Sequence, residues 1–486
     1  MRGRFQDLEH FQPRTPEYQL LPFRFTRLSH ADYILTNEAG DWYRLDRGSL
    51  EAFIRKKLHQ DSRHYRDLKT RHFLFDDDAP TALNLSVLKR RTKQAHIADF
   101  TSLHMFVVTL RCNHSCIYCQ ASRRGTQNTE TDMGPEVARK AVAFTFRSPS
   151  PFIKIEFQGG EPLLNFQAVR VTVEEAERLN EHHKRNLSFV IASNLSLLTD
   201  EHLNFCRQHQ IQFSTSLDGP ADLHNSNRPK EANNSYEETV RNISRVRDFL
   251  GPGSISGLMT TTAKSLTRYQ EIIDEYIRQG FRGLFLRPLS PFGYAIRGNE
   301  FKRYTVDQWL EFYKKSLDYI IEINRSGFFF AEYYASILLQ KILTPYGTGF
   351  VNLQSPAGMG ITGIIFNYDG GVYPSDEGRM LAEMGDKRFC MGNVQQDGYQ
   401  EIILSPALIE PLESSVAECV PMCEQCAFVP FCGADPDYHF ATQRDYVGNK
   451  AKSGFCRKNM EIFRHLFTLL NSEGSRRILE SWVRWR

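Results

Sequence analysis

Cys112-Asn113-His114-Ser115-Cys116-Ile117-Tyr118-Cys119 places three cysteines within eight residues, directly after the apolar run Met105-Phe106-Val107-Val108-Thr109-Leu110. That run is β-branched and aromatic and too short for a helix. It therefore reads as a buried strand with the cysteines on the loop at its C-terminal end. Three thiolates on one short loop can converge on one metal centre, and soft sulfur selects zinc, copper or iron–sulfur. A fourth thiolate is not close by in sequence. On a four-iron cluster, three thiolates leave one iron open to a ligand that is not protein. An open iron suggests chemistry, whereas a closed four-thiolate site suggests structure or electron transfer.

At 486 residues the chain is too long for one ordinary core, so two or three domains are expected. Hydrophobic content of 41% and charged content of 24% are those of a globular protein. The 60 basic and 57 acidic residues nearly cancel, which gives no whole-protein attraction to nucleic acid or to an anionic membrane. No apolar stretch approaches the roughly 20 residues of a bilayer span. Met1-Arg2-Gly3-Arg4-Phe5-Gln6-Asp7 has no apolar h-region, so no signal peptide and a cytoplasmic location are expected. Ten cysteines without an export signal point to reduced thiols, hence metal or catalysis, rather than disulfides.

Residues 1–95 read as a small α+β module. Ala31 to Asn37 and Asp41 to Leu45 form two strands around a turn, and helices follow from Gly48 to Leu58 and from Arg63 to Arg71. Ala79-Pro80 begins a linker-like passage, and Lys89-Arg90-Arg91-Thr92-Lys93 reads as an exposed, solvated basic segment. From 100 to 330 strands alternate with helices. The strands are 104–110, 153–157, 187–192, 211–216, 254–260 and 283–287, and the helices lie near 134–147, 165–184, 199–208, 235–249 and 268–280. This alternation implies a parallel sheet with crossover helices, an α/β fold of the partial (β/α)6 TIM-like barrel type. Chemistry in such barrels sits at the C-terminal ends of the strands. Residues 331–354 read as a helical linker, and 355–486 as a cysteine-bearing domain of turns and short strands.

Gln158-Gly159-Gly160-Glu161-Pro162 follows the second strand. Two glycines let backbone approach a ligand closely, and Glu161 can accept from an ammonium. Alone such a turn is only a turn. Beside a CxxxCxxC loop, with Tyr118 just before the last cysteine, it resembles the radical S-adenosylmethionine superfamily. A zinc site with distant ligands would leave the Gly-Gly-Glu-Pro turn unexplained. Ala192-Ser193-Asn194-Leu195 is similar to the strand-four Thr-Asn-Gly segment of the peptide-modifying branch, with Ser193 and Leu195 in place of threonine and glycine. Ser214-Thr215-Ser216-Leu217-Asp218-Gly219-Pro220 and Arg228-Pro229 resemble that branch's Ser-Leu-Asp-Gly segment and its arginine; Asn225 stands where relatives often carry aspartate. The resemblance implies a 4Fe-4S cluster on Cys112, Cys116 and Cys119, and S-adenosyl-L-methionine held by Tyr118, Gly159, Gly160, Glu161, Pro162, Asn194, Ser216 and Arg228. It also implies a 5′-deoxyadenosyl radical that takes a hydrogen atom from the substrate.

Cys423-x2-Cys426-x5-Cys432, followed by Cys456, is a second thiolate set, and four thiolates close a structural or electron-transfer site. It resembles the second auxiliary cluster of the SPASM domain. Ile364 to Pro374 resembles that domain's hairpin, and Met391-Gly392-Asn393-Val394 its later turn. Ser355, Ser375 and Pro436 stand where family members supply cysteines to the first auxiliary cluster, which is therefore missing or rebuilt. Cys390 and Cys419 are candidates for a rebuilt one, or else spare thiols, and Cys206 reads as core. Asp376 matches a proton-accepting aspartate of the sulfatase-maturing relatives; a turn aspartate is the plainer reading.

The opening Leu20-Leu21-Pro22-Phe23-Arg24-Phe25 and the depleted SPASM domain look most like the His-Xaa-Ser system radical maturases. That similarity implies an enzyme that modifies a ribosomal peptide or small protein. Its partners would be the precursor, a reductant such as flavodoxin or ferredoxin, and a second radical maturase of the same system. The N-terminal module loosely resembles winged-helix-like leader-recognition elements that bind along a sheet edge; a plain cap on the barrel is the alternative. A radical enzyme acting on a small molecule, and a non-catalytic zinc scaffold, are the competing classes.

Overall fold

The computed structural model describes residues 18–76 and 81–484. The expectations for residues 1–7 and 79–80 lie outside them. The N-terminal module is an antiparallel sheet in the order β1 (Phe23–Arg27), β2 (Asp32–Asn37), β3 (Trp42–Asp46). The expected hairpin is β2 and β3; β1 is an addition. The sheet is followed by α1 (Arg47–Ile54), capped by Asp46 accepting from Ser49 N at 2.9 Å, and α2 (Arg63–Thr70), capped by Ser62 accepting from Tyr65 N at 3.2 Å. The module buries a core of its own around Leu35, Leu45, Phe53, Leu68 and Phe73.

The basic segment 89–93 is partly solvated, with Arg91 exposed, and partly paired. It lies on helix α3 (Thr81–Gln94), where Lys89 pairs with Asp41 at 2.9 Å and Arg90 pairs with Glu38 at 3.1 Å and Glu418 at 3.2 Å. Lys93 donates to Lys341 O and stands 5.4 Å over the Phe431 ring, and burial holds its ammonium down at a pKa of about 8. Carboxylates and carbonyls from the units on either side convert the positive run into a clamp.

The barrel strands are β4 (Leu103–Thr109), β5 (Phe152–Gly159), β6 (Asn186–Ser193), β7 (Gln212–Ser216), β8 (Ile255–Thr260) and β9 (Leu286–Arg287), all parallel. Between them run α4 (Pro135–Thr145), α5 (Phe166–His183), α6 (Asp200–Gln208), α7 (Ser235–Leu250) and α8 (Tyr269–Arg278). The partial (β/α)6 barrel read from the sequence is thus present. The sixth strand is divided: Leu286 and Arg287 join β8, while Gly283 and Leu284 pair instead with Ala331 and Glu332.

Next come α9 (Val306–Arg325) and α10 (Tyr333–Leu343). Helix α10 is not a linker, because it buries Tyr334, Ile337, Leu338, Leu339 and Ile342 in the core shared by barrel and C-terminal region. β10 (Gly363–Phe366) pairs in parallel with β4, and β11 (Gly371–Tyr373) and β12 (Gly392–Asn393) extend the sheet antiparallel to nine strands. Helices α11 (Asp376–Glu383), α12 (Pro436–Gln443), α13 (Gly454–Leu469) and α14 (Glu473–Arg484) complete the chain. Among the described residues no helix is long and apolar enough to cross a membrane.

Glu332 ties these parts together. Fully buried, it accepts from Leu286 N at 3.1 Å, Tyr313 OH at 2.6 Å, and Tyr334 N and Ala335 N at 3.2 and 2.6 Å. Removing it strands donors on β9, α9 and α10. Glu332→Ala should cost about 3 kcal/mol in denaturant unfolding, and Glu332→Gln clearly less.

Candidate functional site

The cysteine loop is laced to its surroundings by backbone hydrogen bonds: Cys112 N to Arg124 O at 3.1 Å, Ser115 N to Pro229 O at 2.8 Å, and Ile117 N to Asn227 O at 3.0 Å. The turn after β5 is stitched to the stem of the same loop. Gly160 N donates to Thr109 O at 2.8 Å and Glu161 N to Arg111 O at 2.7 Å. The approach is too close for a side chain, since a Cβ on Gly160 would meet Arg111 O at 2.2 Å and Leu110 O at 2.5 Å. Gly159 has φ +134°, a second reason for glycine.

Glu161 does not face a ligand. Its carboxylate is fully buried and spent on Ser193 Oγ at 2.7 Å, Asn194 N at 2.8 Å and Leu163 N at 3.1 Å. It braces the turn against the end of β6, so the ammonium acceptor expected here is a positioning carboxylate instead. Pro162 starts the short helical turn Pro162–Asn165 and is likewise turned away. Leu195, where glycine was expected, keeps a left-handed φ of +63°. Asn194 holds that bend, accepting from Ser196 N at 2.9 Å while donating to Asn113 in the cysteine loop at 3.0 Å.

These contacts enclose a cavity of about 210 Å³ at the C-terminal ends of the strands. Cys112, Cys116, Cys119, Tyr118, Gly159, Gly160, Asn194, Ser216, Arg228 and Asp376 all line it. Tyr118 OH donates to Asp218 at 2.8 Å and receives Arg228 Nη1 at 2.8 Å. Burial pushes the Asp218 carboxyl up, and Arg228 opposes that. Tyr118 therefore orients the arginine at the cavity wall. Asp376 opens α11, where Ser375 accepts from Gly378 N at 2.9 Å as the cap, and Asp376 pairs with Arg379 Nε at 3.0 Å. Sequence reading missed Arg379 and Arg123 in the lining. It also missed Glu377, which lines a neighbouring cavity of about 280 Å³ that shares Leu258 and Arg287 with the first.

The first cavity fits the expected group. Thr215 Oγ1 and Arg123 Nε, both in its lining, are buried without a hydrogen-bond partner. Burial pushes the Cys112 thiol up strongly and the Cys116 thiol to about 11, so a resident metal is what would hold them as thiolates. Cys112, Cys116 and Cys119 would hold a 4Fe-4S cluster. The two glycines, Asn194, Ser216 and Arg228 would hold S-adenosyl-L-methionine. Together these cofactors supply a 5′-deoxyadenosyl radical when an electron is delivered. The chain's own share is to position the cofactor and exclude water.

The second cysteine set also converges. Cys423, Cys426, Cys432 and Cys456 line one cavity of about 230 Å³, roofed by Phe25 and Thr26 of β1. Phe428 N donates to Cys426 Sγ at 3.4 Å, and Asn459 Nδ2 to Cys432 Sγ at 3.7 Å. Cys419 is exposed and outside this lining, and Cys390 packs among Val107, Leu110, Ile365 and Tyr373. Neither joins the four. Cys206 is fully buried core. The three positions without cysteine have structural work: Ser375 caps α11, Pro436 is the first residue of α12, and Ser355 accepts from Ala417 N at 2.9 Å. Among the described residues no three His, Cys, Asp or Glu side chains close to single-ion spacing; the cysteines line cavities instead.

The family model of the radical SAM superfamily matches residues 106–275, within the barrel. The matched segment of the barrel is similar to the radical S-adenosylmethionine superfamily. An uncharacterized protein of Methanocaldococcus jannaschii is 27% identical over 185 residues, 38% of this chain and 61% of that protein. The chain thus spans less than two thirds of that relative's length. A cysteine-type anaerobic sulfatase-maturating enzyme of Clostridium perfringens is 24% identical over 336 residues, 66% of this chain and 84% of that enzyme. Native anSMEcpe with bound AdoMet superposes with TM-score 0.62 at 17% identity, covering 79% of this chain and all of that one. Streptococcus suis SuiB bound to precursor peptide SuiA superposes with TM-score 0.54 at 13% identity, covering 90% and 98%. These likenesses establish the fold.

Two outcomes are expected. Gly160→Ala should force the turn off the cysteine loop and cut both iron content and 5′-deoxyadenosine formation at least tenfold, read by iron assay and chromatography. Glu377 tests the electrostatics. Burial, with Asp376 and Asp435 nearby, pushes its carboxyl from 4.5 up to about 7, against Arg287. A raised carboxyl costs stability as pH climbs from the unfolded value through the folded one. Glu377→Gln should therefore match the parent near pH 4.5 and exceed its unfolding stability at pH 8 by on the order of 2 kcal/mol.

Proposed function

We propose that the chain is a radical S-adenosylmethionine enzyme, with a 4Fe-4S cluster and S-adenosyl-L-methionine as its cofactors, that it modifies a ribosomally made peptide or small protein, and that residues 18–76 grip an extended leader. One observation carries the peptide reading. A groove of about 680 Å³ runs along the edge strand β3, walled by α2, α3 and the chain around Leu470. Ala39, Gly40, Asp41, Trp42, Tyr43 and Arg44 line it consecutively. Trp42, Tyr43 and Arg44 belong to β3, and because side chains alternate across a strand, three successive lining residues put the backbone edge of that part of β3 beside the groove. Such an edge accepts an added strand. Of the six cations in the lining, Arg44 pairs with Asp32, Arg63 and Arg71 share Asp67, Lys89 pairs with Asp41 and Arg476 with Glu480; the remaining positive excess favours an acidic peptide.

The similarity to peptide-bound and maturating proteins supports the same reading, with His-Xaa-Ser repeats as the finer substrate assignment. Asp376, at the wall of the cofactor cavity, stands where a proton acceptor would. The site residues named for the cluster, for S-adenosyl-L-methionine and for an auxiliary cluster on Cys423, Cys426, Cys432 and Cys456 belong to this proposal. So do a flavodoxin or ferredoxin reductant, a companion maturase and a cytoplasmic setting that keeps the thiols reduced.

Anaerobic reconstitution with dithionite and S-adenosyl-L-methionine should yield 5′-deoxyadenosine. Its absence, with iron bound, would remove the radical reading and leave a metal scaffold. Co-expression with a candidate precursor should give a mass change in the peptide. For the groove, Arg44→Glu with Arg71→Glu in the full chain should weaken binding of a labelled precursor by tenfold or more in fluorescence anisotropy, with iron content as the control for folding. Unchanged affinity would leave the module as a cap and favour a small-molecule substrate.

A further inference from the structure

Lys450 lines the C-terminal cysteine cavity, Lys341 and Lys458 stand behind its lining residues Cys432 and Phe455, and among the described residues none of the three forms an ion pair with a carboxylate. Lys450 lines the cavity and is 5% exposed; its Nζ lies 3.3 Å from His439 Nε2 and donates to Val447 O. Lys341 donates to Leu353 O and, at 3.4 Å, to Cys432 O. Lys458 stands 5.0 Å over the Tyr334 ring and 5.4 Å over Phe455. The carboxyls that face them are already engaged. Asp435 accepts from Tyr438 N at 3.0 Å and Asn352 Nδ2 at 2.7 Å, and Glu418 pairs with Arg90 at 3.2 Å. The other cations near these thiols are matched, Arg24 by Glu38 and Arg464 by Glu461.

Asp435 and Glu418 are the carboxyls near the three lysines, and Glu418 is shared with Arg90, so enclosed ammoniums outnumber carboxylates here; negative charge inside the cavity would offset that excess. An iron–sulfur core on four thiolates supplies that charge, and it gains one more negative charge on reduction. Nearby cations stabilise the reduced state more than the oxidised one and so raise the reduction potential. The first cysteine cavity carries arginines of its own, Arg123, Arg228, Arg287 and Arg379, of which Arg379 pairs with Asp376 and Arg228 is linked through Tyr118 to Asp218.

We propose that Lys341, Lys450 and Lys458 are built-in counter-ions of the C-terminal cluster and raise its reduction potential. The inference rests on reading the C-terminal cysteine site as an iron–sulfur centre.

The test is a redox titration followed by electron paramagnetic resonance on the anaerobically reconstituted full chain. The triple variant Cys112→Ala, Cys116→Ala, Cys119→Ala isolates the C-terminal centre, and the parent then gives the first centre by difference. Iron and sulfide are counted beforehand. Lys450→Met and Lys341→Met should each shift the C-terminal midpoint negative, their combination further, and Lys341→Arg should restore it. Lysine variants with full iron and an unmoved midpoint would overturn the proposal. A C-terminal site that takes up zinc or no iron would overturn it through the cluster reading, while 5′-deoxyadenosine formation scores the first site separately. If Lys450→Met does not fold, Lys341→Met carries the same comparison.

Discussion

β10 lies in parallel register with β4, Gly363 opposite Leu103 and Phe366 opposite Phe106, and both cysteine sites depend on that ladder. It occupies the edge of the barrel's first strand, which would otherwise present unpaired backbone groups. A parallel pair needs a long connection, and here the whole barrel and two helices serve as one. Gly363 permits the approach, because a Cβ there would already stand 3.2 Å from Leu103 O. From β10 the chain turns through β11 into α11, which delivers Asp376, Arg379 and Met380 to the cofactor cavity. The C-terminal region is thus an extension of the barrel sheet, and the two regions share one core.

Around the first cysteines the polar groups are mostly committed to one another. Glu161 ties the glycine turn to β6, Asn194 ties β6 to the cysteine loop, and Tyr118 links Asp218 to Arg228. Such a network fixes geometry and leaves few groups free for a ligand. The free ones, Thr215 Oγ1 and Arg123 Nε, are at the cavity wall. The second cavity has a different character, with apolar walls and Lys450 in its lining.

The sequence was most legible where chemistry needs local spacing. Three cysteines on a strand-end loop and a Gly-Gly turn after the next strand are short-range patterns, and periodicity located the five long barrel strands and their helices. Whatever depends on tertiary neighbours was less readable. Glu161 looks like a ligand-binding carboxylate until Ser193 and Asn194 are seen to occupy it. The run 89–93 looks solvated throughout until Asp41, Glu38 and Glu418 are seen opposite. Helix α10 carries apolar residues on nearly every side, a sign of full burial that was available in the sequence and was read instead as a linker. β1 was also within reach, since Phe23 and Phe25 alternate with Arg24.

The roof over the C-terminal cavity bears on how the molecule is made. Arg24 reaches the carbonyl of Glu424, and Thr36 donates to Ala427 O at 2.6 Å, contacts that span 400 and 391 residues of chain. The N-terminal module has its own core and is synthesised first. Its seat does not exist until the chain beyond Ala427 has left the ribosome. β1 can therefore dock only after that chain has emerged, and until then the four thiols lack their roof.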